Sequence, residues 1–268
     1  MSSAADTGYA KLNLALHVRD RMADGRHRLE TLFAFCEDGD ALTVEPDEEL
    51  WCDVSGGDDL HFISGDNLVL RAAYALRAAS GTTRGAHLHL TKRLPIASGV
   101  GGGSADAAAA MRLLTGLWNL DPVHAGEVAP RIGADVPACL ISRTARGTGT
   151  GDELVLVDVP ELNGRSVLLI NPRVRLGTAE VFERWDGVDR GPLGDWRAGR
   201  NDLEAPAKTI VPQIGMVLSW LETQPGAEFV RMSGSGATCF ALFADEDARD
   251  RAATAVPREW WHLATRLR

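Results

Sequence analysis

Between an alternating stretch and an alanine-rich one, the segment Pro95-Ile96-Ala97-Ser98-Gly99-Val100-Gly101-Gly102-Gly103-Ser104-Ala105 places four glycines in five positions. Before it, Ala86, Leu88 and Leu90 alternate with His87, His89 and Thr91, the period of a half-buried strand; after it, Ser104 to Trp118 is rich in Ala, Leu and Met, the composition of a helix. Glycine permits positive φ and removes Cβ atoms. Successive N–H groups can then converge on an anion, and the orphan N–H groups of the following helix act on the same charge. The spacing is neither GxxxxGK[ST], since no Lys follows the glycines, nor GxGxxG, since Ser104 stands at the last position. The plainer alternative is a turn with Ser104 as N-cap and Asp106 in the first helical turn, where a carboxylate suits the helix dipole and counts mildly against an anion. An ordinary turn needs one glycine, and four in five cost backbone entropy without return, so the phosphate reading is preferred, with positive φ expected at Gly102.

The remaining chain supplies both kinds of element. Tyr9 to Val18 alternates, with Leu12, Leu14, Leu16 and Val18 on one face and Lys11, Asn13, Ala15 and His17 on the other, and reads as a strand with one core face. Closely spaced strands are expected at 29–36, 41–45, 50–54 and 60–63, which favours antiparallel pairing. Asn67 to Ala79 changes period and meets Gly81, so a helix is expected there. A shorter helix is expected over 123–132, with Pro130 weakening its last turn, and strands over 138–142 and 154–159. Pro160-Glu161-Leu162-Asn163-Gly164 interrupts the pattern before a buried strand at 167–170. It sets an expected boundary between an N-terminal domain, 1–160, and a C-terminal domain, 161–268. Helices at 178–184, 211–222 and 246–255 then mix with strands at 229–232, 238–244 and 260–264. Without a regular βαβ rhythm, α+β is expected rather than a doubly wound sheet.

Several polar residues stand out from these patterns. Lys11, with Asn13 at period two, is either a functional group or a surface lysine lying along apolar neighbours. Asp135 lies in Gly133-Ala134-Asp135-Val136-Pro137, where Gly133 can end the preceding helix and Pro137 holds Val136 extended. That stiff turn fixes a carboxylate, as a reactive group or as a turn stabiliser. Ser233-Gly234-Ser235-Gly236-Ala237 is a tight turn or a companion to the first glycine loop. Asp24-Gly25-Arg26-His27 is an exposed hairpin, or else an imidazole that reads the edge of a base beside a guanidinium that stacks on its face. His17, His61, His87, His89, His124 and His262 show no metal spacing and are expected at the surface; metal ligands stay open.

Charge narrows the partners. Twenty-eight Lys and Arg against thirty-seven Asp and Glu give a formal charge of −9, a poor footprint for nucleic acid but no obstacle to a small phosphorylated ligand. No apolar run approaches about 18 residues, and Met1 to Asp20 lacks a basic stretch followed by an apolar one, so no membrane partner and a cytoplasmic location are expected. Cys36, Cys52, Cys139 and Cys239 are scattered without a CxxC pair and read as reduced thiols.

In this order the pieces resemble the GHMP kinase superfamily of small-molecule kinases: a lysine strand near the N-terminus, the loop and helix at Pro95 to Ala108, and a late glycine loop at Gly234, Ser235 and Gly236. Ala10-Lys11-Leu12-Asn13-Leu14, Ala23-Asp24-Gly25-Arg26-His27, Gly133-Ala134-Asp135-Val136-Pro137 and Asn201-Asp202-Leu203-Glu204 are similar to members of the non-mevalonate isoprenoid pathway that act on a cytidine-bearing alcohol. The resemblance implies a two-domain α+β kinase with its active site in the cleft between domains. It implies ATP and Mg2+ as cofactors and transfer to the 2-hydroxyl of a methylerythritol unit carried on a cytidine diphosphate handle. Lys11 and Asp135 match the catalytic pair, with Lys11 keeping Asp135 ionised. Pro95 to Ala105 matches the loop that holds the ATP phosphates. Asn13, Arg26, His27 and Phe182 match the cytidine site; Arg26 stands where the family usually has tyrosine, and its guanidinium can replace the ring in stacking. Ser104 is the candidate ligand for the ion. The alternatives are a kinase for another small alcohol, such as homoserine or a mevalonate derivative, and a catalytically silent nucleotide-binding protein, which the joint presence of Lys11 and Asp135 disfavours.

Overall fold

The computed structural model describes residues 3–56, 67–95 and 98–268. Its contacts divide the chain into two compact units that interleave in sequence: Met1–Ala10, Asp38–Ile96 and Gly101–Ser142 form the first, and Lys11–Glu37, Ala97–Val100 and Arg143–Arg268 the second. Two long strands cause the interleaving. β1 (Ala4–Arg21) and β2 (His27–Glu45) pair with each other, and each contributes residues to both units. Residues 160 and 161 both lie in the second unit. A division at turn residues follows the chain, whereas strands this long carry one segment into two cores.

In the first unit, the C-terminal part of β2 pairs antiparallel with β4 (Ala86–Lys92), Ala41 opposite Thr91, and β4 pairs parallel with β3 (Leu50–Gly56). A parallel pair needs a crossover, supplied by α1 (Leu68–Ser80). Asn67 caps its start by accepting from the Val69 N–H, and Gly81, at φ 68°, ends it. α2 (Gly102–Trp118), α3 (Val123–Ile132) and α4 (Val136–Ile141) complete the unit. Ala105 and Ala107 to Ala110 of α2 are buried, so neighbours approach its axis closely. α4 replaces the strand expected at 138–142: the apolar run is too short for its period to decide, and Pro137 suits a first helical turn. Val136, expected to be extended, is therefore helical.

In the second unit, Thr31 to Phe33 of β2 pair antiparallel with β5 (Ala145–Thr148), which pairs with β6 (Glu153–Leu156). A separate antiparallel sheet runs β10-β7-β9-β8, from β7 (Ser166–Asn171), β8 (Ala227–Met232), β9 (Cys239–Phe243) and β10 (Trp261–Arg266). Leu168, Ile170 and Phe243 from this sheet join one core with Ile214, Val217 and Leu221 of α7 (Gln213–Glu222) and Ala248 and Ala252 of α8 (Glu246–Thr254). Two short helices, α5 (Thr178–Glu183) and α6 (Glu204–Ile210), lie between β7 and α7 in the chain. β5 and α6 have no counterpart among the expected elements; β5 is only four residues long, and Pro206 lies inside α6.

β1 departs most from expectation. Residues 10–18 are all buried, so the strand has two covered faces rather than one. His17, expected at the surface, is 2% exposed; the Arg200 N–H donates to its Nε2 (3.2 Å), its Nδ1 lies 3.1 Å from the Gly191 carbonyl, and burial lowers its pKa. The strand expected at 60–63 and His61 lie outside the described residues. Among the described residues no helix is long and apolar enough to cross a membrane.

Candidate active site

The buried polar face of β1 is the starting point in the second unit. Lys11 is 2% exposed, lies over the Phe33 ring (4.8 Å to the centroid) and donates from Nζ to Asn13 Oδ1 at 2.8 Å, so the surface-lysine alternative does not hold. Asn13 donates from Nδ2 to Thr31 Oγ1 (2.8 Å), and that hydroxyl donates to the Ala15 carbonyl (2.6 Å). The Asn13 backbone N–H donates to Ser233 Oγ (3.1 Å), whose hydroxyl donates to the Gly99 carbonyl (3.0 Å). One serine oxygen thus joins the lysine strand, the first glycine loop and the second.

Three successive carbonyls of the first loop are hydrogen-bonded. Ser98 O accepts from the Thr238 N–H (3.0 Å), Gly99 O from Ser233 Oγ, and Val100 O from the Lys11 N–H (2.9 Å). Gly99 holds φ 77°, and a Cβ there would stand 2.6 Å from the Ser233 carbonyl and 2.7 Å from that of Gly236. Glycine is required twice over at this position. Ile96 and Ala97 lie outside the described residues, and Pro95 is half-buried.

The second glycine loop connects β8 to β9, with Gly234 at φ 56° and Gly236 at φ 86°. Asn201 fixes it from Nδ2, donating at 2.8 Å to the carbonyls of both Met232 and Gly234. Ser235 Oγ lies 3.0 Å from Thr178 Oγ1 at the start of α5. On the same helix, Phe182 stacks on His27 (centroids 4.9 Å, planes 28° apart), and just past the helix end Trp185 meets that imidazole edge-on at 5.7 Å. Burial lowers the His27 pKa. Arg26 turns elsewhere: its Nε donates to Asp24 Oδ2 at 2.7 Å, and its side chain is exposed.

In the first unit, α2 begins at Gly102, two residues ahead of the expected start, and Gly101 at φ 68° is its N-cap. Ser104 is therefore inside the first turn and is not the cap. Gly102 and Gly103 are helical, so positive φ falls on Gly99 and Gly101 instead of Gly102. Asp106 does not lie at the open end of the helix. It is 3% exposed and accepts from Lys92 Nζ on Oδ2 at 2.7 Å, while Lys92 also donates to Asp40 Oδ2. Burial, with the charge of Asp40 adding to it against Lys92, pushes the Asp106 carboxyl up to about 8. Burial works against the Lys92 charge, but the two carboxylates outweigh it and its pKa is raised.

Asp135 directly precedes α4, half-buried, and its side chain does not cap that helix. Gly133 ends α3 with φ 178°, a conformation open to any residue, and its Cα faces Ser104: a Cβ there would lie 3.9 Å from Ser104 Oγ. Lys11 and Asp135 belong to different units. The sequence patterns did not single out Thr31 or Trp185, and marked Asn201 and Ser233 only within the segments Asn201 to Glu204 and Ser233 to Ala237. Trp185 follows Phe182 by three residues but lies past the end of α5, so no helical period marks it.

Comparison with known proteins follows the same pattern. The chain matches the family models for the GHMP kinases N terminal domain over residues 67–143 and GHMP kinases C terminal over 189–263. It is 50% identical over 280 residues to a 4-diphosphocytidyl-2-C-methyl-D-erythritol kinase of Rhizorhabdus wittichii, covering 98% of this chain and 94% of that protein. To the protein of the same name from Novosphingobium aromaticivorans it is 47% identical, covering 99% of this chain and 93% of the relative. A crystal structure of 4-(cytidine 5'-diphospho)-2C-methyl-D-erythritol kinase superposes with a TM-score of 0.84 at 32% identity, covering 98% of this chain and 99% of that one.

Proposed function

The chain belongs to the GHMP kinase family, and from that premise we propose that it transfers the γ-phosphoryl group of ATP to the 2-hydroxyl of 4-diphosphocytidyl-2-C-methyl-D-erythritol, a step of the non-mevalonate isoprenoid pathway. It is an ATP-dependent phosphotransferase with an alcohol acceptor. The observation that carries the substrate is the 50% identity, over 98% of the chain, to a kinase of that name.

The residues divide the work as follows. Phosphoryl transfer depends on in-line positioning and charge neutralisation more than on covalent help from the protein. Backbone N–H groups of Gly99 to Ser104, with the N-terminus of α2, hold the ATP phosphates. Asp135 orients the acceptor hydroxyl and takes its proton as the new O–P bond forms and the bond to the β-phosphate oxygen breaks, releasing ADP. Lys11, kept in one rotamer by Asn13 Oδ1 and Phe33, supplies positive charge to the transferring group. His27, flanked by Phe182 and Trp185, reads the cytosine edge; its lowered pKa favours the neutral imidazole, which can both donate and accept.

Asn13 has its oxygen and amide committed to Lys11 and Thr31, which supports a role in holding Lys11 over direct reading of the base. Among the described residues no group of three or more His, Cys, Asp or Glu side chains forms a metal site. Mg2+ fits as an ion carried chiefly by phosphate oxygens and water, for which one hard oxygen such as Ser104 Oγ suffices, and it would neutralise phosphate charge. An ADP-release assay with ATP and a panel of alcohols tests the assignment. Turnover is expected with the cytidine diphosphate substrate and not with homoserine or mevalonate; the reverse pattern overturns it.

A further inference from the structure

We infer that Lys92, Asp40 and Asp106 form a buried clasp that fixes both ends of the phosphate loop, and that Asp106, although part of the loop's sequence motif, is a positioning residue acting on ATP through that clasp. The inference rests on the assignment of the loop to ATP. Lys92 is the last residue of β4, and its ammonium reaches both carboxylates. The other oxygen of Asp40 accepts from the Arg93 N–H (2.5 Å) and the Leu94 N–H (2.8 Å), so the chain leaving β4 is held over 92–94. Asp106 lies one turn into α2, so the helix that leaves the loop is held by the same ammonium. Between these anchors runs the loop itself.

The fit around the clasp is close. Gly102, the first residue of α2, faces the clasp: a Cβ there would be in ordinary contact with Lys92 Nζ at 3.5 Å and Asp40 Oδ2 at 3.7 Å. A Cβ on Gly8 of β1 would lie 2.6 Å from Asp106 Oδ1, so glycine at 8 leaves room for that carboxyl. All three side chains are nearly inaccessible, so Asp106 presents no exposed polar atom to a nucleotide. Buried ion groups of this kind contribute little net stability compared with apolar side chains, and their directional bonds serve better to specify one arrangement. Here the arrangement is the aim of the α2 N-terminus relative to the strand before it. Small misplacements of a binding group are costly to the ligand it serves.

Titration of the full-length chain with the non-hydrolysable analogue AMP-PNP, together with steady-state kinetics, tests this. Asp106→Ala is expected to weaken AMP-PNP binding and raise the KM for ATP by about tenfold, with kcat and the KM for the alcohol within about threefold of wild type. Asp106→Asn, which keeps an oxygen for Lys92, is expected to restore binding. If Asp106→Ala does not fold, the pair Lys92→Met and Asp106→Leu keeps the test, since apolar replacement of a buried ion pair is often neutral or stabilising. That folded double variant is expected to bind AMP-PNP about tenfold more weakly at an unchanged or higher Tm. Wild-type affinity in either folded variant overturns the clasp, as does a loss of affinity that merely tracks Tm without rescue by Asn. A wild-type chain that binds no AMP-PNP overturns the ATP assignment and the clasp together.

Discussion

The two glycine-rich turns share a composition and use their backbones in opposite ways. At Gly99 and Gly101, left-handed glycines turn the chain from β4 into α2, and the carbonyls of residues 98–100 are drawn off by hydrogen bonds. At Gly234 and Gly236, left-handed glycines close a link between two antiparallel strands, and that link brings up two of the three groups that do the drawing, Ser233 Oγ and the Thr238 N–H; the third is the Lys11 N–H of β1. The second turn thus takes up two of the first turn's carbonyls, and its own carbonyls at 233 and 236 close in on Gly99. Glycine content alone does not make a phosphate site; what faces the carbonyls decides which groups remain for the ligand.

The largest expected effect lies outside both turns. Lys11→Ala and Asp135→Asn are each expected to lower kcat by about a hundredfold or more with little change in KM for ATP, read from steady-state kinetics. A change in ATP KM comparable to that in kcat would break the separation of chemistry from phosphate holding. Next comes Gly99→Ala, which meets two carbonyls of the second turn and a φ unsuited to alanine; ATP affinity is expected to fall by about tenfold or more, measured by titration. Gly102→Ala, helical and without a clash, should change it by less than about threefold. Equal effects at both positions would remove the backing role of the second turn.

Ser233→Ala leaves the Gly99 carbonyl and the Asn13 N–H without their buried partner. A loss of about 1 to 3 kcal/mol is expected, shared between Tm and ATP binding, and a Tm effect alone would confine Ser233 to stability. The smallest effect is in pH. Because the His27 pKa lies below its ordinary value of 6.5, the neutral imidazole persists as pH falls toward 6.5. The KM for the cytidine substrate is expected to stay flat down to that pH and to rise below it, and His27→Ala should abolish the rise.

Much of this was legible in the chain. The loop between strand and helix, Lys11 on the polar side of its strand, and the helices of residues 67–132 follow from period and glycine placement. The burial of that polar side was not. It depends on Arg200 and Ser233, which come from 183 and 220 residues further along, and no local period announces them. The clasp was hidden for a related reason: Asp106 reads locally as a first-turn carboxylate, and only Lys92 and Asp40 reveal that it points inward. Asp40 sits in a strand whose neighbours Asp38 and Gly39 read as a turn. The strand expected at 138–142 became α4 because four apolar residues fit either period.

The central claim, that this kinase reads a cytidine handle with His27 while the glycine loop serves ATP, is tested most directly by kcat/KM for the cytidine substrate and its uridine counterpart, in wild type and His27→Ala. Cytosine and uracil carry opposite donor and acceptor patterns at ring positions 3 and 4, so an edge-reading imidazole distinguishes them. The account predicts a clear wild-type preference for cytidine that His27→Ala erodes by about 1 to 3 kcal/mol, with the KM for ATP unchanged. Equal use of both substrates by wild type, or a preference that survives His27→Ala intact, would contradict it.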